Sequence, residues 1–125
     1  MRINLMPISI NKAYRGGRRF KSKDYLNFEK QMLEMIPDNH QKFSGNYAIH
    51  LKFYMKNALA CDLSNFIKTT EDIIVKSGIV KDDRFCWHMT VEKFKSDENY
   101  LEFEIEDMED TEEIMKHISS GVMYP

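Results

Sequence analysis

Between Cys61 and Phe85 the chain reads CDLSNFIKTTEDIIVKSGIVKDDRF, with Asp62 near one end, the pair Asp82 and Asp83 at the other, and Lys68 between them. Ionised carboxylates only accept hydrogen bonds, and hard oxygen donors of this kind hold divalent cations. A lysine between them adds a cation to the same stretch. These residue types could share a divalent metal ion. Their spacing opposes it. Leu63, Phe66, Ile67, Ile73 and Ile74 form a helical apolar stripe, and Asp62, Asn65, Thr69 and Asp72 fall on a second, polar face bordered by Lys68. A helix of about 16 residues is roughly 24 Å long, so it holds Asp62 and Asp83 apart unless the helix is short, the approach is bent, or the following loop folds back. On residue types alone, Asp62 reads as a helix N-cap, KDDR as a polar turn and Lys68 as a solvated lysine.

A second group of residues could meet a polyanion. The stretch NKAYRGGRRFKSK carries Lys12, Arg15, Arg18, Arg19, Lys21 and Lys23. Gly16 and Gly17 allow close backbone approach to phosphate, and Tyr14 and Phe20 could stack on bases. The plain alternative is a solvated loop. The net charge of −2 hides an asymmetry: residues 1–58 hold 11 Lys/Arg against 4 Asp/Glu, and residues 59–125 hold 7 against 16. Phosphates respond to a local patch rather than to the sum, so this distribution permits nucleic acid without requiring it. His50 and His88 fall on strand faces opposite the apolar stripe, where an exposed sheet histidine is the simpler reading than a ligand or base. His40 and His117 have no evident partner in the sequence. Trp87 and the methionines read as core.

The elements that must position these residues follow from periodicity. RINLM is a short first strand, and PISINKAYRGGRRFKS reads as a loop broken by Pro7, Gly16 and Gly17. A helix is expected from about Lys23 to Ile36, capped by Ser22, stopped by Pro37, with Tyr25, Phe28, Met32, Met35 and Ile36 on one face. GNYAIHLKFYMK alternates as a half-buried strand with Tyr47, Ile49, Leu51, Phe53 and Met55 inward. FCWHMTVEKF alternates with Phe85, Trp87, Met89 and Val91 together, and YLEFEIE sets Leu101, Phe103 and Ile105 against glutamates. KSDEN between those two strands reads as a hairpin connection. DTEEIMKHI reads as a closing helix with Asp110 and Glu113 in capping-box register. Gly78 is a natural stop for the central helix. The order β-α-β-α-β-β-α makes a mixed sheet backed by helices, an α+β class single domain over residues 1–125.

A chain of 125 residues with 42% apolar content suits one core and argues against intrinsic disorder. No apolar run approaches a membrane span. The N-terminal MRINLMPISINKAY lacks the pattern of a signal peptide, so the expected compartment is the cytoplasm and Cys61 and Cys86 are expected as reduced thiols. Two cysteines without nearby histidine or cysteine partners make no zinc site.

Two segments together resemble the RusA-type Holliday junction resolvase family. The first is Pro7, Ser9, Asn11 and Tyr14. The second is Asp62, Asn65, Lys68, Asp72, Gly78, Asp82 and Asp83. The resemblance covers most of the chain, and the second segment carries its specificity. It implies a homodimeric endodeoxyribonuclease of recombination and repair, dependent on Mg²⁺ with Mn²⁺ as an alternative, that cuts four-way DNA junctions. Phage or prophage origin fits the same family. It implies Asp62, Asp82 and Asp83 as metal-site carboxylates, with Asp62, Lys68 and Asp83 catalytic. Asn11, Lys12, Tyr14, Arg15, Arg18, Arg19 and Asn65 are the expected DNA contacts. One departure stands out: Ser64 occupies a position where the family usually has aspartate. A hydroxyl is a weaker Mg²⁺ ligand than a carboxylate. Either Asp82 or water fills the gap and the enzyme works, or the protein binds junctions without cutting them. Asp62, Lys68 and Asp83 together favour the working enzyme.

Overall fold

A computed structural model describes residues 1–5, 8–15, 20–60 and 62–108. The elements are β1 (Arg2–Ile3), α1 (Ile10–Ala13), β2 (Tyr14–Arg15), β3 (Phe20–Lys21), α2 (Lys23–Met35), β4 (Tyr47–Met55), α3 (Ser64–Ser77), β5 (Cys86–Lys95) and β6 (Tyr100–Asp107). Among the described residues, β1, β6, β4 and β5 lie side by side in that order as one mixed sheet. The architecture is α+β as expected. The closing helix proposed for DTEEIMKHI, with His117, lies outside the described residues.

Alternation drives β4 and β6 as read from the sequence. Tyr47, Ile49, Leu51, Phe53 and Met55 are all buried, as are Leu101 and Phe103. Helices α2 and α3 cover that face: Tyr25, Phe28, Met32 and Ile36 meet Phe66, Ile73 and Ile74 in one core with the strands. Each such side chain contributes about 1.5–3 kcal/mol on full burial. Ser22 caps α2, its hydroxyl accepting from the Tyr25 N–H at 3.1 Å. Met35, expected on the buried face, is 43% exposed in the last turn. Gly78 ends α3 at φ 86°, a left-handed conformation that a side chain would strain.

Four expectations are corrected. The segment read as a loop contains the single turn α1 and the small antiparallel β2–β3 ladder, Tyr14 opposite Lys21. KSDEN is not a hairpin. β5 runs parallel to β4, β6 runs antiparallel to it, and β4 separates them. The connection crosses the end of β4, where Ser96 N–H donates to the Met55 carbonyl and Asn99 accepts from Lys56 N–H. In β5 the alternation slips. Tyr47 pairs with Cys86 but Ala48 pairs with His88, so Trp87 is the extra residue of a bulge. Trp87 is consequently 39% exposed, its indole N–H bonded to Asn46, rather than core. Met89 and Val91 still pack inward, with Phe85 from the preceding turn. Finally, Asp62 does not cap α3; Leu63 holds the N-cap position and no side chain bonds there.

The path β4–α3–β5 is a parallel crossover, which needs a helix to return the chain. It carries Asp62 in at one end of α3 and Asp82–Asp83 out beyond the other. No described helix is long and apolar enough to cross a membrane.

Candidate functional site

The segment after α3 returns along the helix. Phe43 N–H donates to the Ile79 carbonyl at 2.7 Å, and Phe43 bridges Val80 in parallel, which pins the start of the segment. A 3-10 turn over Asp83–Phe85 then leads into β5. Asp82 starts that turn, its carboxylate accepting from the Arg84 N–H at 3.0 Å. This bond is the main reason its carboxyl lies below the usual range. The expectation of a polar turn is therefore met at Asp82.

Asp83 faces the helix. Lys68 Nζ stands 3.2 Å from Asp83 Oδ2 and 3.1 Å from Asp72 Oδ1. Hydrogen bonds donated to both carboxylates, Asp72 first, hold the ammonium protonated well above its ordinary range. The distance problem posed by the helix is thus answered by the loop, which reaches the second and third turns of α3 rather than its start. Glu71, next to Asp72, is pushed up by burial and by the Asp83 charge. Burial raises the Cys86 thiol and the Tyr47 phenol as well, with Glu71 and Asp83 adding to both. The Tyr47 hydroxyl is buried with no partner among the described residues. Cys86 is a free thiol.

Two cavities divide the expected site residues. Asp62 and Asn65, at the start of α3, line one of about 670 Å³ with Asn11 and Lys12 from α1. Asp82, Asp83 and Asp72 line another of about 320 Å³ with Tyr14 and Tyr25. Asp62 therefore does not share a cavity with the aspartate pair. Ser64 is an exposed residue in the first turn of α3. Arg18, Arg19 and the side chain of Arg15 lie outside the described residues. Tyr14 is partly buried, edge-on to Tyr25 with ring centroids 5.4 Å apart, while Phe20 is 68% exposed.

The two motifs are joined by a residue placed on the polar face in the sequence. Thr69 is fully buried, and its hydroxyl donates to the Ile8 carbonyl at 2.7 Å. That bond holds the segment before α1 against α3 and so fixes Asn11 and Lys12 beside Asn65. Among the described histidines, His50 is half-buried with Nδ1 2.6 Å from the Thr90 hydroxyl, and His40 has Nδ1 3.1 Å from the Gln41 carbonyl. Sequence reading missed Glu29 and Lys76. Glu29 sits on the buried face of α2 between Phe28 and Met32, so its neighbours conceal it in the pattern, and a contact from α2 to α3 leaves no periodic signal.

Can these residues hold a divalent ion? Carboxylates from two different elements converge on one cationic point, the ammonium of Lys68. Mg²⁺ takes one or two carboxylates from a protein and completes its shell with water and phosphate oxygens, so Asp72 and Asp83 fit that need. Among the described residues no three His, Cys, Asp or Glu side chains are grouped to hold a metal by themselves.

No curated protein matches the chain. A family model described as Endodeoxyribonuclease RusA matches residues 9–106. That span starts at Ser9 in the α1 segment, includes the whole of α3 and its returning loop, and ends in β6. With a match over so much of its length, the chain belongs to the RusA endodeoxyribonuclease family.

Proposed function

We propose that this protein is a divalent-metal-dependent endonuclease that cuts opposed strands of a four-way DNA junction as a homodimer. The family in general is one of Holliday-junction-resolving endonucleases, usually dependent on a divalent metal. The observation that carries the reading for this chain is the meeting of Asp72 and Asp83 at Lys68. Three charged groups from a helix and a returning loop are brought to one point beside a cavity, where a structural ion pair needs only two.

In this reading Asp83 and Asp72 hold Mg²⁺, with Mn²⁺ as an alternative. A bound ion of this kind supplies a Lewis acid and an activated water. Lys68 has a different task. With the two carboxylates engaged elsewhere, its ammonium is available to the phosphate oxygens on which negative charge builds. Asp62 acts from the larger cavity at the start of the same helix, where Asn11, Lys12 and Asn65 orient the DNA strand. Tyr14 flanks the smaller cavity. Arg15, Arg18 and Arg19 supply backbone contacts from the basic arm. A two-fold dimer provides one site for each opposed strand.

A second reading is a junction-binding protein that does not cut. It is favoured by the position of Ser64, an exposed hydroxyl in the turn where the family usually offers a carboxylate. One experiment separates the two: incubation with a synthetic four-way junction and with duplex, with and without Mg²⁺, for the natural protein and Ser64→Asp. Symmetric metal-dependent cuts by the natural protein support the enzyme. Cutting that appears only in Ser64→Asp supports the non-cutting reading. Equal binding of junction and duplex without cleavage would refute both.

A further inference from the structure

Glu29 is the only buried charged side chain among the described residues. Its position on α2 follows the apolar stripe, where a leucine would pack without penalty. Taking a carboxylate out of water costs several kcal/mol unless partners offset it. Here there are two. Lys21 Nζ, on β3, bonds Oε2 at 2.9 Å, and Lys76 Nζ, in the last turn of α3, bonds Oε1. Burial pushes the Glu29 carboxyl up, but the bonds from Lys76 and Lys21 outweigh it and the net displacement is downward from 4.5. Glu29 is therefore charged at neutral pH, and the triad carries one surplus positive charge.

One lysine would satisfy this carboxylate. The second makes the arrangement something other than a clamp. Each carboxylate oxygen takes one lysine, so one buried side chain holds both ammonium groups. Each has three donors and spends one on Glu29. Lys21 is further fixed over the Tyr25 ring, 5.2 Å from its centroid. Both lysines line the cavity of about 320 Å³ whose other residues include Asp72, Asp82 and Asp83. The same cavity thus holds both the prearranged cations and the carboxylates of the proposed metal site.

We propose that Lys21 and Lys76, aimed by the buried Glu29, anchor a DNA backbone phosphate beside the Asp72–Asp83 pair. The proposal rests on the endonuclease reading and names a subsite within it. Glu29 is a positioning residue: it touches no substrate, but it sets the separation and direction of two groups that do. A phosphodiester suits the site because its two non-bridging oxygens can accept from both ammonium groups at once.

The test is the salt dependence of four-way-junction binding, measured in Ca²⁺ so that no strand is cut. Lys76→Met keeps the aliphatic stem and removes the charge. The double variant Lys76→Met/Glu29→Gln also removes the buried carboxylate, so it keeps the fold should the single variant lose it. Each folded variant is expected to bind roughly tenfold more weakly. Each should also show a shallower slope of log K against log salt, by at most about 0.9, the full contribution of one phosphate contact. Lys76→Arg should keep the natural slope. Variants that melt lower yet keep the natural slope and affinity would overturn the anchor and leave a structural clamp. Absence of DNA binding by the natural protein would instead overturn the endonuclease reading, and the anchor with it.

Discussion

Lys68 stands where a cation must stand. With Asp72 and Asp83 both within 3.2 Å of its Nζ, the ammonium cancels a repulsion that would otherwise open the returning loop. Replacing it makes that repulsion visible. Lys68→Met is expected to melt several degrees lower than the natural protein without metal, a shift of about 1 kcal/mol in a domain of this size. Mg²⁺ at a hundred times its Kd should more than recover the loss, because at that excess a bound ion stabilises by roughly 2.7 kcal/mol. Melting curves with and without Mg²⁺ check this; a variant insensitive to the ion would show that the pair does not bind it. Asp83 and Lys68 were both legible in the sequence as candidates, and their contact was not. It depends on the loop's path, which Phe43 fixes from far away in sequence. Asp72 was visible as a member of a polar helix face and of the family motif, but not as a partner of Lys68.

At the scale of elements, α2 and β4 followed their periodicity because each has one buried face and a consistent register. β5 did not. Its bulge at Trp87 shifts the inward face by one residue, and a single extra residue has no signature in an alternating pattern. The hairpin expectation failed for a related reason: neighbours in sequence usually pair, but here the central strand was already flanked on one side by a parallel partner. The triad of Lys21, Glu29 and Lys76 ties β3, α2 and α3 together, and it should show in acid. The Glu29 carboxyl is depressed in the folded chain. Its contribution to stability is then complete above the unfolded value near 4.5 and is lost as pH falls through the lower folded value. Glu29→Gln should be less stable at neutral pH by roughly 1–3 kcal/mol, and less sensitive to acid below pH 4.5. Urea titrations at pH 7 and pH 3.5 measure both effects; parallel acid loss in the two proteins would place the sensitivity elsewhere.

The molecule as a whole is assembled around β4, and its order of pairing is unusual for so short a chain. β4 waits for β5 across the α3 crossover and for β6 beyond that, while β1 pairs Arg2 with Glu102 and Ile3 with Leu101. The sheet therefore has no local hairpin from which to grow. Loop closure must be met before any strand contact repays it, which slows folding relative to a helical protein of equal length. Refolding should fall in the millisecond-to-second range, measured by stopped-flow fluorescence of Trp87. A fragment ending at Asn99 should not fold, because β1 loses its partner and β4 is left with an open edge; a cooperative melt of that fragment would contradict this. During synthesis the same order has a temporal meaning. The apolar face of β4 leaves the ribosome long before β6 exists to cover its flank. The nascent chain must be sheltered, or stay unstructured, until nearly the last strand is made.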